Sequence, residues 1–174
     1  MAENYPESWA GVQNSTSGAL QKAQRIRQRR MAALALADEK ELEAEAAKIF
    51  VSFSYTFLRR PEAGLIMLEG RTGNSGQRFN FGEILITRCV VRLESQDSGA
   101  ITEGYAFIQG NRPRHAELAA VFDALLQMDD WAESLDRLLI EPLLAGREKK
   151  LQKRAAETIR TKVDFFTLVR GEDE

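Results

Sequence analysis

The chain is 174 residues long, with 44% hydrophobic and 29% charged residues, the balance of a globular protein and not of a disordered one. A formal net charge of −2 argues against a protein built to wrap nucleic acid, whose affinity comes from many Lys and Arg contacts to phosphate. The single cysteine, Cys89, excludes an internal disulfide, and a chain of this length buries a core without metal or disulfide staples.

The opening residues Met1 to Glu7 have neither the basic nor the apolar region of a secretory signal. No apolar run nears the roughly 20 residues that span a bilayer, so a cytoplasmic protein without a membrane partner is expected. Residues 1–21, with Gly11, Asn14, Ser15, Ser17 and Gly18, read as a flexible N-terminal extension. Residues 22–174 then form one α+β domain. Lys22, Arg25, Arg27, Arg29 and Arg30 make a basic block that reads first as a solvated or interface helix face. The helix-forming run Met31 to Ala37 follows. Asp38 suits the cap of a second helix, Leu42, Ala46 and Ile49 give it an apolar stripe, and four early glutamates suit its dipole.

From Phe50 the pattern turns β-like. Residues 50–58 read as a first strand with Phe53, Tyr55 and Phe57 on one face. Arg59 to Gly64 reads as a turn, and Leu65 to Arg71 as a second strand pairing with the first. A loop over 72–77 leads to a third strand, Ile84 to Leu93. Ser95 to Gly99 forms a turn, and Ile101 to Gln109 a fourth strand. Pro113 suits the first turn of a helix, along which Leu118, Val121, Phe122, Leu125 and Leu126 recur at helical spacing. Trp131 to Leu139 reads as helical, Pro142 as an interruption, and Leu143 to Ile159 as a charged helix. The expected fold is α+β, an antiparallel four- to five-stranded sheet with helices packed on one face.

No phosphate loop and no dinucleotide-binding glycine fingerprint is present. One Cys and one His cannot complete a zinc site, so no metal is expected on this chain. Cys89, inside a strand, reads as a packing residue. His115, near a helix start with Glu117 two residues on, reads either as a surface or capping histidine that orders the loop or as a proton carrier or contact at a shared site. In the stretch Arg71 to Arg78, Gly73 and Gly76 can turn amides toward an anion that Arg71 and Arg78 would hold. The same composition also makes an ordinary hairpin loop. Arg88 and Arg92 share one strand face, with Cys89, Val91 and Leu93 on the other, and suit an anion or an acidic partner. The segment 162–171, with Val163, Asp164, Phe165, Phe166, Leu168 and Arg170, is too apolar for a free tail. It either completes the sheet or packs on another chain.

Several stretches together resemble a known family. They are Arg71 to Glu83, Thr87-Arg88 with Val91-Arg92-Leu93, Gly104-Tyr105, Gly110, His115-Ala116-Glu117, Asp123-Ala124-Leu125, and Lys162 to Gly171. Their order and spacing, from about Arg30 to Gly171, are similar to the G subunit of the bacterial carbon–phosphorus lyase core complex, the PhnG family. The chain departs at Asn111-Arg112, where the family pattern has Arg-Asp. The resemblance implies an accessory subunit of a cytoplasmic assembly with H, I and J subunits and associated ABC-type ATPase-like proteins. That assembly supports attack of a phosphonate on the ribose of ATP, with magnesium, releasing adenine and forming a ribose 1-phosphonate 5-triphosphate. Later bond cleavage uses S-adenosylmethionine and an iron–sulfur cluster on the J subunit. No cofactor is implied on this chain alone, and His115 and Glu117 gain weight as functional candidates. Two other readings stand beside this one: a stand-alone nucleotide- or phosphate-binding enzyme using His115 and the Arg71 to Arg78 loop, and a nucleic-acid-binding module using the basic block.

Overall fold

The computed structural model describes residues 8–49, 54–71, 76–95, 99 and 101–160. Helix α1 spans Ser8–Leu36, so the stretch expected as a flexible extension continues as helix from Ser8. Once a helix is nucleated, each added residue costs little, and the intervening Gly11 and Gly18 are outnumbered by helix formers. Asp38 caps α2 (Glu39–Ile49) as its position predicts: its Oδ1 accepts the Lys40 N–H at 3.0 Å. Leu42 and Ala46 of the apolar stripe are buried.

The sheet differs from expectation in strand count. Strand β1 runs without a break from Tyr55 to Arg71, through the residues expected to turn. Strand β2, Arg78–Glu94, is equally long and offers a partner along the whole length, with Tyr55 opposite Leu93 and Arg71 opposite Arg78. Register shifts between Phe57 and Arg59, and between Arg59 and Glu62, carry the ladder past Pro61. An edge strand tolerates a residue without an N–H at such an irregularity. Two expected strands are therefore one. With β3 (Ile101–Gln109) the described sheet has three antiparallel strands in the order β1-β2-β3, not four or five. The candidate fifth strand, 163–170, and residues 50–53 of the expected first strand lie outside the described residues. At the β2–β3 turn, Gly99 has φ +66° and donates its N–H to Ser95 O at 2.9 Å.

Helix α3 (Pro113–Leu125), with Pro113 in its first turn as predicted, is buried almost all round, from His115 and Ala116 through Leu118 to Leu125. A helix with no wet face belongs inside a fold. It lies between the sheet and the α1–α2 pair. The sheet gives it Cys89, Val91 and Leu93 from β2 and Ala106 and Ile108 from β3, all buried. Arg88, Arg92 and Phe107 emerge on the opposite, exposed face. Helices thus take one sheet face, and burial of Phe122 alone contributes about 2–3 kcal/mol of the driving force.

Two local devices fix where α3 sits. At Gly104 a Cβ would lie 1.8 Å from the Ala120 carbonyl oxygen and 2.7 Å from the Ala124 nitrogen, so only glycine lets the helix cross β3 this closely. The buried Thr87 hydroxyl donates to Gly110 O at 2.6 Å and accepts the Arg112 N–H at 2.9 Å. That pair of bonds holds the strand-to-helix turn, where Gly110 has φ +89°. The position of the Asn111-Arg112 departure is thus ordered through its backbone.

Helix α4 (Asp129–Leu135) passes through a π turn, Asp136–Ile140, into α5 (Glu141–Arg160). The interruption expected at Pro142 is this turn, and no break in the chain's helical path occurs. A regular α-helix would set the proline ring against the Leu138 carbonyl; the wider turn, with Glu141 N–H donating to Asp136 O, moves that carbonyl aside. None of the described helices is long and apolar enough to cross a membrane.

Candidate functional site

The basic block of α1 divides by direction. Lys22, Arg25 and Arg29 are exposed, whereas Arg27 and Arg30 turn inward. Arg27 donates from Nη2 (2.7 Å) and Nε (3.2 Å) to the carboxylate of Asp123, which is 1% exposed in the last turn of α3. Asp123 also accepts the Tyr105 N–H at 3.0 Å, while Arg27 and Gln127 both donate to the Glu103 carbonyl. These bonds occupy outward-pointing backbone groups of β3 and close that edge of the sheet. The Asp123 hydrogen bond raises the Arg27 pKa above its ordinary value against the opposing effect of burial. Arg30 pairs with Asp136, its Nε donating at 2.9 Å, and its Nη1 donates to Leu126 O at 2.8 Å. Asp123 carried no role in the sequence reading beyond the resemblance. The available signal is an acidic residue inside the apolar run Leu118 to Leu126, which needs a partner wherever it is buried.

His115 and Glu117 leave α3 in different directions. His115 is fully buried, and its Nε2 donates to Leu34 O at 2.8 Å, a carbonyl that can only accept. The imidazole therefore ties α3 to the end of α1, and its buried Nδ1 has no partner among the described residues. Glu117 accepts hydrogen bonds from the Tyr55 hydroxyl and from Arg114 Nη1 at 3.0 Å, and Arg114 in turn lies 3.8 Å from Glu43. Burial first, then the bond to Glu117, pushes the Tyr55 phenol up to about 12. Burial, with the Glu117 charge behind it, pushes the Cys89 thiol up to about 11. A thiol so raised stays protonated near neutrality and packs without reacting, in keeping with its place in the core.

Arg88 and Arg92 share the outer face as their spacing predicts, and each already meets a carboxylate on the next strand. Arg88 Nε lies 2.6 Å from Glu62, which Arg59 also contacts, and Arg92 Nη2 lies 2.8 Å from Glu103. These guanidinium groups hold the Glu62 and Glu103 carboxyls below their ordinary range. Arg71 and Arg78 stand apart from them, opposite one another at the far end of the β1–β2 ladder, with Arg78 3.9 Å from Glu69. Gly76 adjoins them; Gly73 and the interface candidates Val163, Asp164, Phe165, Phe166, Leu168 and Arg170 lie outside the described residues. Among the described residues no three His, Cys, Asp or Glu side chains gather to hold a metal ion.

Among the described residues a run of exposed apolar side chains lies on the sheet itself. Strand β3 ends at Gln109, opposite Ile86, while β1 and β2 continue past it as a two-stranded arm. On the arm Leu65, Ile66, Met67, Leu68, Phe79 and Phe81 are all exposed.

Polar groups that knit the elements together, beside a broad apolar surface turned outward, define an α+β protein of the kind that meets other macromolecules. The chain matches the family described as phosphonate metabolism protein PhnG over residues 25–171. It belongs to that family. It is 40% identical over 116 residues, 67% of this chain and 70% of the relative, to the alpha-D-ribose 1-methylphosphonate 5-triphosphate synthase subunit PhnG of Rhizobium meliloti (strain 1021).

Proposed function

We propose that this chain is an accessory subunit of a complex that joins a phosphonate to the ribose of ATP. The complex releases adenine and forms a ribose 1-phosphonate 5-triphosphate during phosphonate breakdown. The observation that carries the reading is the 40% identity, across two thirds of the chain, to a protein named as a subunit of that synthase. The arrangement of side chains supports it: His115 and Glu117 do not converge, and Arg88 and Arg92 already hold carboxylates. In this reading ATP and magnesium are used by the assembly. The partners are the H, I and J subunits with ABC-type ATPase-like proteins in the cytoplasm, and S-adenosylmethionine and the iron–sulfur cluster belong to J.

The test is adenine release from ATP and methylphosphonate, measured for the chain alone and for the co-expressed assembly with and without it. Release is expected only with the assembly, and omission of this chain should lower it or the yield of complex. Turnover by the purified chain alone would replace this reading with that of a self-sufficient enzyme. The C-terminal segment is proposed as a further contact, so replacing both Phe165 and Phe166 with alanine should lower recovery of the complex more than it lowers folding.

A further inference from the structure

We propose that the two-stranded arm, Gly64 to Arg71 with Arg78 to Leu85, inserts into a cleft of a different subunit, one with apolar walls on both sides and carboxylates at its end. This rests on the functional reading above, which supplies the assembly. By the ordinary strand rise the arm is about 25 Å long. The ladder register sorts its side chains: Leu65, Met67 and Leu85 lie on one face, and Ile66, Leu68 and Ile84 on the other. Phe79 and Phe81 stack at 4.4 Å between ring centres, and Phe81 lies over Gly70, which places the aromatic pair with Ile66 and Leu68. Leu65 is 61% exposed and Phe81 54%, so neither face is dry.

A two-stranded ribbon that exposes apolar side chains on both faces, with Glu83 opposite Met67 on the Leu65 face, is at best marginally stable in water, and a long apolar edge strand invites pairing. The number of bare faces decides the occupant. A second copy pairing along β1 would cover the edge and leave both faces wet, and two arms packed face to face would cover one face of each. A cleft covers both. Charge specifies its end. Arg71 and Arg78 stand directly opposite, an unfavourable like-charge pair in a ladder, and among the described residues Glu69, 3.9 Å from Arg78, offsets it in part. Carboxylates at the closed end of the cleft would relieve that repulsion through planar two-point contacts.

The experiment uses the full chain, alone and co-expressed with the other subunits, and reads hydrogen exchange of the arm amides and co-purification. Slowing of arm exchange by tenfold or more on assembly is expected, with the lone chain insensitive to its own concentration. Ile66→Asp with Leu68→Asp on one face, and Leu65→Asp with Met67→Asp on the other, should each lower recovery of the complex at least tenfold. Arg71→Glu with Arg78→Glu should lower it several-fold. Arm amides that exchange equally fast in the complex overturn the proposal. So does protection of the lone chain that rises with concentration, which indicates a second copy, or that disappears on removing 161–174, which indicates the chain's own tail. Normal recovery of both face variants overturns it while leaving the functional reading intact. Failure of the unaltered chain to join any complex defeats both.

Discussion

Around α3 the chain is held by close approach and by buried charge; at the far end of the same sheet β1 and β2 continue with none of the described elements laid across them. The body and the arm share a ladder but not a stabilising environment. In the body, Gly104 lies against the α3 backbone, Asp123 holds Arg27 and the Tyr105 N–H, and Thr87 ties the strand-to-helix turn. On the arm, apolar side chains face water and wait for a surface. The contrast teaches that one strand can serve folding at one end and recognition at the other, so substitutions should divide sharply along it.

The largest effect should come from glycine. Gly104→Ala puts a methyl group into the α3 backbone, which cannot rotate away, and should cost about 3 kcal/mol or more. Gly70→Ala in the arm meets the edge of the Phe81 ring, a side chain and not backbone, and should cost about 1 kcal/mol. Denaturant unfolding of both variants checks this. Equal losses would break the distinction between body and arm.

Within the body, charge should divide by burial. Arg27→Ala leaves the Asp123 carboxylate buried without its cation, at a cost of about 2–4 kcal/mol. Arg92→Ala removes an exposed cross-strand pair and should change stability by less than about 1 kcal/mol. A double-mutant cycle of Arg27→Ala with Asp123→Asn isolates the buried term. A coupling near zero would mean that the Arg27–Asp123 pair does not hold α1.

Much of this division was legible in the sequence where a single element carried its own signal. The Asp38 cap, Pro113 at the start of α3, and the alternation of Arg88 and Arg92 against Cys89, Val91 and Leu93 are local patterns, and the structure keeps them. What failed depended on a partner distant in sequence. Arg59 to Gly64 has turn composition, yet β2 pairs through it, so one strand replaces two. The inward turn of Arg27 depends on Asp123, 96 residues away. The crossing at Gly104 depends on where α3 happens to land. For the candidate site, the grouping of Arg71 with Arg78 was visible because both flank one loop. The separation of His115 from Glu117 was hidden, because two positions on a helix say nothing of which neighbours arrive.

Alkaline pH offers the finest test of the boundary, because the base of β1 titrates with the body. Tyr55 is raised from its ordinary value of 10 to about 12 by burial and by Glu117. Between those values the folded chain binds more protons than the unfolded one, so this contribution to stability is complete below about pH 10 and falls away as pH rises toward 12. Cys89, raised from 9 to about 11, adds a similar decline over a window one unit lower. Tyr55→Phe should therefore flatten the loss of stability between pH 11 and 12, where the Cys89 contribution is already spent, and leave the slope from pH 9 to 10 unchanged. Hydrogen exchange read along β1 at these pH values should show the decline at Tyr55 and Phe57 before any change specific to Leu65 to Leu68. Identical profiles for the variant and the unaltered chain up to pH 12 would mean that Glu117 does not hold the Tyr55 proton, and that β1 is anchored at its base by packing of Tyr55 and Phe57 instead.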